Sequence, residues 1–351
     1  MERPLKIINS VAPIRICDLG GWTDTWFAEY GYVFNIGVYP YAEAQMKVFK
    51  RKPNDEQRVT IHAENFGERY RIDPDNLIYN RHPLLEAAID MMGVPDDIRF
   101  EVTLFSEAPA GASTGTSAAI TVALIGALDM LTPGRMTPYE IAITAQKVET
   151  EKLNQQCGIQ DQLCCAYGGI NFIEMTRYPN SSVSQLHLPN SIWWELERRL
   201  LLIYLGSAHF SSEIHAKVIK NLEGAGPEYP TLIGLRNVAR KGKDALYAGD
   251  FRTFGRAMIE NTELQRELHP ELISDDARCV IDIARQNGAI GWKVNGAGGG
   301  GGSVTILCGA DASSKRKIVQ QVHAASKKYK NIPIYLSRHG LRIWDTPIGS
   351  D

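Results

Sequence analysis

The chain has 351 residues, 44% of them hydrophobic and 22% charged, with 38 Lys and Arg against 40 Asp and Glu for a net charge of −2. That length allows two domains or one large one, and that balance describes an ordinary globular enzyme. No concentrated basic or acidic block is present, which argues against nucleic acid or an anionic membrane as a partner.

The opening residues are too short and too interrupted for a signal peptide. The longest apolar stretch, residues 118–131, carries Thr121, Gly126 and Asp129 and falls short of a membrane span. The cysteines at 17, 157, 164, 165, 279 and 308 form no CxxC pair and no His-linked metal spacing. Reduced, buried thiols in a cytoplasmic protein are therefore expected.

Strand signals dominate the first part of the chain, at residues 5–17, 32–38, 44–49, 59–62 and 69–72. Residues 99–105 (RFEVTLF) alternate polar and apolar side chains, as a half-buried strand does. A helix from 116 to 131 is apolar on nearly every side and so predicted to be buried. A second helix starts at Thr137, with Pro138 at its first position and Glu140 closing a capping box, and runs to about 152. The polar, Pro-punctuated segment 178–191 reads as a domain boundary, dividing the chain into residues 1–185 and 186–351. Beyond it come a strand at 200–205, helices at 211–222, 231–248, 250–268 and 275–287, strands at 289–294 and 303–308, a helix at 312–328, and strands at 332–336 and 341–344. Strands and helices mix without a βαβ rhythm, which points to an α+β fold.

Pro109-Ala-Gly-Ala-Ser-Thr-Gly-Thr-Ser-Ala-Ala119 lies between a strand and the buried helix. Small residues let backbone N–H groups approach an anion, and the helix N-terminus adds unsatisfied donors and a positive dipole end. By itself this is either a phosphate cradle or a Gly/Ser-rich turn with a helix cap. It is not a Walker A loop, because no Lys follows Gly115. Thr116 and Ser117 place hydroxyls where one can reach a Mg²⁺ carried by a nucleotide.

Glu149 lies in the last turn of the helix ending near 152, and Asp161 follows in Cys157-Gly-Ile-Gln-Asp-Gln162. The two can converge on one site from different elements, one for a metal and one for an alcohol's proton. Without the phosphate loop, a solvated Glu on a helix face and an Asp N-cap would be the better readings. Asn295-Gly-Ala-Gly-Gly-Gly-Gly-Gly-Ser303 contains G-x-G-x-x-G, but a strand follows where a dinucleotide fingerprint needs a helix. Close approach of its backbone to a ligand is the better account of the run, with Gly298 and Gly299 as substrate contacts. In Ala12-Pro-Ile-Arg-Ile-Cys-Asp-Leu-Gly-Gly-Trp-Thr-Asp24, Asp24 suits sugar hydroxyls, Trp22 could wall a ring face, and Arg15 could supply the charge that the phosphate loop lacks.

Taken together and in this order, the four segments resemble the GHMP kinase superfamily across nearly the whole chain. The resemblance implies an N-terminal domain like ribosomal protein S5 domain 2, a ferredoxin-like C-terminal domain and ATP bound between them. It implies that Pro109, Gly111, Ala112, Ser113, Thr114, Gly115, Thr116 and Ser117 hold ATP, and that Ser117 and Glu149 hold Mg²⁺. Asp161 is implied as catalytic base and substrate contact, Arg15 as the arginine near the transferred phosphoryl group, and Gly21, Trp22, Thr23 and Asp24 as sugar contacts. Gly20–Thr25 is similar to the L-fucokinase signature, whereas Asn287–Lys293 and the chain length look like D-glycero-D-manno-heptose 7-phosphate kinases. Ser113 and Thr114 depart from the family's usual Gly-Leu, and Thr116 replaces the first of two serines. The expectation is a cytoplasmic sugar-1-kinase, monomeric or homodimeric, with adenine contacts in loops within 62–82. His209, Ser211 and Ser212 are further candidates for the far end of the sugar, or else an exposed His and a helix cap.

Overall fold

The computed structural model describes residues 2–53, 55–207 and 212–346, with only the backbone of Ser212 and Glu213. His209 and Ser211 lie outside the described residues, as does the side chain of Ser212.

In chain order the elements are β1 (Lys6–Leu19), β2 (Gly31–Lys50), β3 (Val59–Ala63), β4 (Glu68–Ile72), α1 (Pro83–Met92), β5 (Ile98–Ser106), α2 (Thr116–Asp129), α3 (Pro138–Lys147), α4 (Gln160–Tyr167), β6 (Ile170–Arg177) and β7 (Asn180–Gln185). There follow α5 (Asn190–Arg199), β8 (Leu200–Tyr204), α6 (Ser212–Ala225), α7 (Pro230–Tyr247), α8 (Phe251–Leu268), α9 (Asp275–Gln286), β9 (Ala289–Val294), β10 (Ser303–Cys308), α10 (Ala312–Ala325), β11 (Lys330–Ile332), β12 (Tyr335–Leu336) and β13 (Arg342–Thr346).

Two sheets organise the molecule. The larger runs β13-β1-β2-β5-β3-β4, with β6, β7 and β12 joined through β2. The smaller is β11-β8-β10-β9. β2 is one strand where two were expected. Pro40 falls where its partner changes from β6, paired along Gly31–Ile36, to β5, paired along Ala42–Lys50. A residue without an N–H is tolerated at such a gap in the ladder.

Segment 178–191 contains β7, which forms a hairpin with β6, pairing Asn171 to Gln185. The last strands also leave the second sheet: β13 lies against β1, with Trp344 opposite Asn9, and β12 pairs with β2. One apolar core crosses the boundary, joining Ile14, Phe34 and Leu124 to Leu196, Leu202 and Phe254.

α2 is sheathed as its composition predicts. Ala119, Val122, Ala123, Leu124, Ile125 and Ala127 have no exposure, and the helix packs on β1, β2, α1, α3 and α4. α3 begins with the expected capping box between Thr137 and Glu140. It continues as a π-helical turn, Val148–Lys152, which carries Glu149. All six cysteines are free, with Cys17, Cys164, Cys165 and Cys308 buried, Cys157 half-buried and, against expectation, Cys279 exposed. Among the described residues no helix is long and apolar enough to cross a membrane.

Candidate active site

A cavity of about 430 Å³ opens where the end of β1, the N-terminus of α2, the π-turn, the start of α4 and the glycine run meet. Its wall includes Arg15, Trp22, Asp24, Ser117, Glu149 and Asp161. Segments far apart in sequence are therefore brought to one place.

The loop 109–115 delivers α2 with a bare N-terminus. Gly115 occupies the cap position in a left-handed conformation, φ 68°, and no side chain caps the helix. The first-turn N–H groups are thus available to an anion. Gly115 is glycine for a second reason, since a Cβ there would lie 3.2 Å from the Asp161 carboxyl and from Arg15 Cγ. Ser113 also takes a left-handed φ, 56°. Its carbonyl accepts from Arg15 Nη1 at 2.5 Å, and a Cβ on Gly302 would come within 2.8 Å of its hydroxyl. The glycine run is therefore packed on the phosphate loop, and Gly296 and Ala297 reach the cavity.

Arg15, 4% exposed, projects from β1 and grips Asp161, with Nε to Oδ1 at 2.7 Å and Nη2 to Oδ2 at 3.2 Å. Burial works against the guanidinium charge, but Asp161 and Asp18 outweigh it and hold Arg15 above its ordinary value. Asp24 Oδ2 accepts from the backbone N–H of Ile159 at 2.9 Å and of Gln160 at 3.0 Å. Burial pushes Asp24 up to about 6, against those two hydrogen bonds and with help from the Asp161 charge. Burial likewise pushes Glu149 up to about 7, opposed by a hydrogen bond from Gln162 Nε2 and assisted by Asp161. That bond is 2.7 Å long.

Five of the expected site residues do not line the cavity. Thr23 is fully buried and its hydroxyl donates to the Gly20 carbonyl at 2.7 Å, closing the turn after β1. Gly21 is buried beneath that turn, where a Cβ would meet Asp18 Oδ2 at 2.9 Å. Pro109 lies at the loop's outer end, its carbonyl accepting from Ala112 N at 3.2 Å. Gly298 and Gly299 pack on α8 and the segment after it: a Cβ on Gly298 would strike the Leu272 carbonyl at 2.4 Å, and Gly299 N donates to that carbonyl at 2.7 Å. Their freedom serves chain packing, not contact with the cavity.

Residues 76–169 match the family described as GHMP kinases N terminal domain, and residues 243–331 match GHMP kinases C terminal. Over 255 residues the chain is 31% identical to mevalonate kinase of Thermococcus sibiricus, covering 70% of this chain and 69% of that one. The chain belongs to the GHMP kinases. Over 307 residues this GHMP kinase is also 27% identical to D-glycero-alpha-D-manno-heptose 7-phosphate kinase of Campylobacter jejuni, covering 85% of this chain and 88% of that one. Its fold is shared with a solved D-glycero-D-manno-heptose 1-phosphate kinase of Bacteroides thetaiotaomicron, at TM-score 0.73 and 22% identity over 96% of this chain and 98% of the other. It is accordingly a phosphotransferase with the two-domain α+β GHMP kinase fold.

Beside the expected Trp22, three polar residues of this GHMP kinase's cavity escape sequence reading. Trp22 Nε1, Gln160 Oε1, Gln162 Oε1 and Asp18 Oδ2 are buried with no hydrogen-bond partner, and all four residues line the cavity. Buried polar atoms are normally paired, so this concentration marks a place built for a polar ligand. Asp18 carried one sequence signal, an acid set among Ile16, Cys17 and Leu19 in an apolar strand. Gln160 and Gln162 carried only their place beside Asp161. Gly158 is fixed by Asp24, whose Oδ2 would lie 2.2 Å from a Cβ there.

Proposed function

We propose that this GHMP kinase transfers the γ-phosphoryl group of ATP to the anomeric hydroxyl of a sugar, with D-glycero-D-manno-heptose 7-phosphate as its substrate. The observation that carries the reading is the Arg15–Asp161 pair, set beside the uncapped N-terminus of α2 and facing the same cavity as Asp24 and Trp22. The choice of sugar is supported by the likeness to the heptose kinase over most of both chains.

In this reading the nucleotide phosphates lie along the backbone of residues 111–117 and the α2 N-terminus. Asp161 orients the anomeric hydroxyl and takes its proton as the new O–P bond forms and the bond to the departing ADP breaks. Arg15, drawn from Asp161 toward the transferring group, offsets its charge. Asp24 accepts from a sugar hydroxyl, and the indole of Trp22 lies along the ring.

Ser117 and Glu149 would hold Mg²⁺. Glu149 is half-buried at the cavity wall and raised to about 7 by desolvation, which a neighbouring divalent cation would offset. No cluster of three or more His, Cys, Asp or Glu suited to a metal occurs among the described residues. Mg²⁺ needs none, since it binds through one or two protein ligands and the nucleotide's own phosphates. Bound there, the ion supplies charge neutralisation to those phosphates.

A second reading, a kinase of a free sugar of the fucose or galactose type, is favoured by one observation. Among the described residues lining the cavity, Arg15 is the only Lys or Arg, and it is engaged by Asp161. A cytoplasmic enzyme, monomeric or homodimeric, completes the proposal. An ADP-release screen over free sugars, sugar phosphates, mevalonate and homoserine tests it. Turnover confined to heptose 7-phosphate supports the first reading, and turnover with L-fucose or galactose supports the second. Turnover with mevalonate or homoserine alone, or with nothing, overturns both. Nothing turning over leaves a catalytically silent paralogue.

A further inference from the structure

Asp18 takes no part in the chemistry described above, yet it is a buried charge in the cavity wall with partners on three sides. It stands in β1 three residues after Arg15 and has no exposure. Its Oδ1 accepts from Gly296 N at 3.1 Å and lies 3.5 Å from Lys293 Nζ and 3.8 Å from Arg15 Nη1. Its Oδ2 is buried and unpartnered. Lys293, 1% exposed, also donates to Gln265 Oε1 at 3.2 Å and to the Val294 carbonyl. Gln265 Nε2 in turn donates to the Gly296 carbonyl at 3.1 Å. The N–H and the C=O of Gly296 are thus both held by this network.

One carboxylate oxygen therefore sits between two buried cations and the first residue of the glycine run. Removing one member of a buried charge set is costly, because the partners are left uncompensated. The geometry also has a directional consequence. Arg15 is held by Asp161 on one side and by the Ser113 carbonyl on another. Asp18 is the anchor on its inner side, and it does not compete with Asp161 for hydrogen bonds, being beyond hydrogen-bond distance.

We propose that Asp18 is a positioning residue for phosphoryl transfer: it keeps the Arg15 guanidinium at the phosphate loop when the Arg15–Asp161 pair opens, and keeps Gly296 in register with it. The proposal rests on the kinase reading above, and its test contains one arm that does not.

Asp18→Asn keeps the shape and an acceptor for Gly296 N but leaves Lys293 uncompensated and takes away the second of Arg15's two carboxylate neighbours. Asp18→Asn with Lys293→Met removes both buried charges together. In the single variant kcat for the sugar falls roughly 10- to 100-fold, the scale of a misplaced catalytic group, while its KM changes less than about 3-fold, and the melting temperature drops. In the double variant the melting temperature recovers and kcat stays low. Recovery of kcat together with stability would show that Asp18 merely neutralises Lys293, and wild-type kcat in the single variant would overturn the proposal equally.

The second arm reads Arg15 directly. Its side-chain Nε–Hε resonance, assigned by loss in Arg15→Lys, is expected to be slowly exchanging in the wild type and broadened or shifted in the double variant. An unchanged resonance refutes the positioning role. A wild-type protein that turns over no sugar sinks the kinase reading alone and leaves this arm to decide Asp18.

Discussion

Arg15 holds Asp161 by two parallel hydrogen bonds, Nε to Oδ1 at 2.7 Å and Nη2 to Oδ2 at 3.2 Å. In a carboxylate gripped in this way both oxygens accept charge-assisted hydrogen bonds. The pair is the resting form of the site. In the proposed mechanism an arriving phosphoryl group competes for the guanidinium and frees Asp161 beside it.

Asp161→Asn should retain the fold, since a carboxamide oxygen can still accept from Arg15 Nε. Turnover should fall by roughly 10² to 10⁴, the usual contribution of a positioned base, with the melting temperature within a few degrees of wild type. A folded Asp161→Asn protein with near wild-type ADP release would remove Asp161 from the role of base.

The pH dependence of stability follows from Glu149 and Asp24. Glu149 rises from its ordinary 4.5 to about 7 on folding, and Asp24 from 3.8 to about 6. The folded protein therefore binds more protons than the unfolded chain between the two values, and stability falls as pH rises through that window. The cost is absent below the ordinary values and fully present above the raised ones. In metal-free protein at pH 8, Glu149→Gln should melt a few degrees above wild type, roughly 2–6 °C, and the two should converge at pH 4.5. Thermal melts across this range check it, and a Glu149→Gln protein less stable at pH 8 would contradict it.

Ser117→Ala tests the proposed metal contact. Ala is a good helix residue, so α2 should be undisturbed. The Mg²⁺ concentration giving half-maximal activity should rise by on the order of tenfold or more, no less than loss of an outer-sphere partner costs a metal site. A Mg²⁺ titration superimposable on wild type would take Ser117 out of the metal site.

Trp22→Phe separates the indole's plane from its N–H. Nε1 is buried and unpartnered, so its removal should leave the free protein as stable as wild type or slightly more so. If Nε1 donates to the sugar, KM for the sugar should rise roughly 3- to 10-fold with KM for ATP unchanged. Equal sugar KM values would limit Trp22 to apolar contact.

Gly158→Ala should be felt at Asp24. The added methyl would lie 2.2 Å from Asp24 Oδ2, so the carboxylate must move or the α4 entry must shift. A stability loss of about 1–3 kcal/mol and a raised sugar KM are expected, with the ATP KM spared. Wild-type sugar KM in a stable Gly158→Ala protein would argue that Asp24 does not touch the sugar.

Much of the site was legible because its chemistry is concentrated in short segments. The loop up to Ser117, the Glu149 turn, Asp161 and the segment from Arg15 to Asp24 were each readable, and all supply side chains to one cavity. The run 296–302 reaches the cavity at Gly296 and Ala297, whereas Gly298 and Gly302 pack on the chain itself. Glycine composition announces close approach, but whether the neighbour is a ligand or the chain itself depends on what lies opposite, and here that is Ser113, Leu272 and Gln265. α5 and β7 were missed because local signals misled: Asn190-Ser191 after Pro189 reads as a turn, and the strand Asn180–Gln185 is polar on both faces.

By itself the sequence determined most of the periodic elements, the buried character of α2 and the α+β class. These depend on local spacing and on residue types within a few turns of one another. Only the tertiary structure decided which charges meet. Asp18 and Lys293 are 3.5 Å apart across the fold, Trp344 returns to stand opposite Asn9, and Arg15 closes on Asp161 from 146 residues away. Pairings of this kind depend on how the sheets and helices pack, and no local pattern carries that distance.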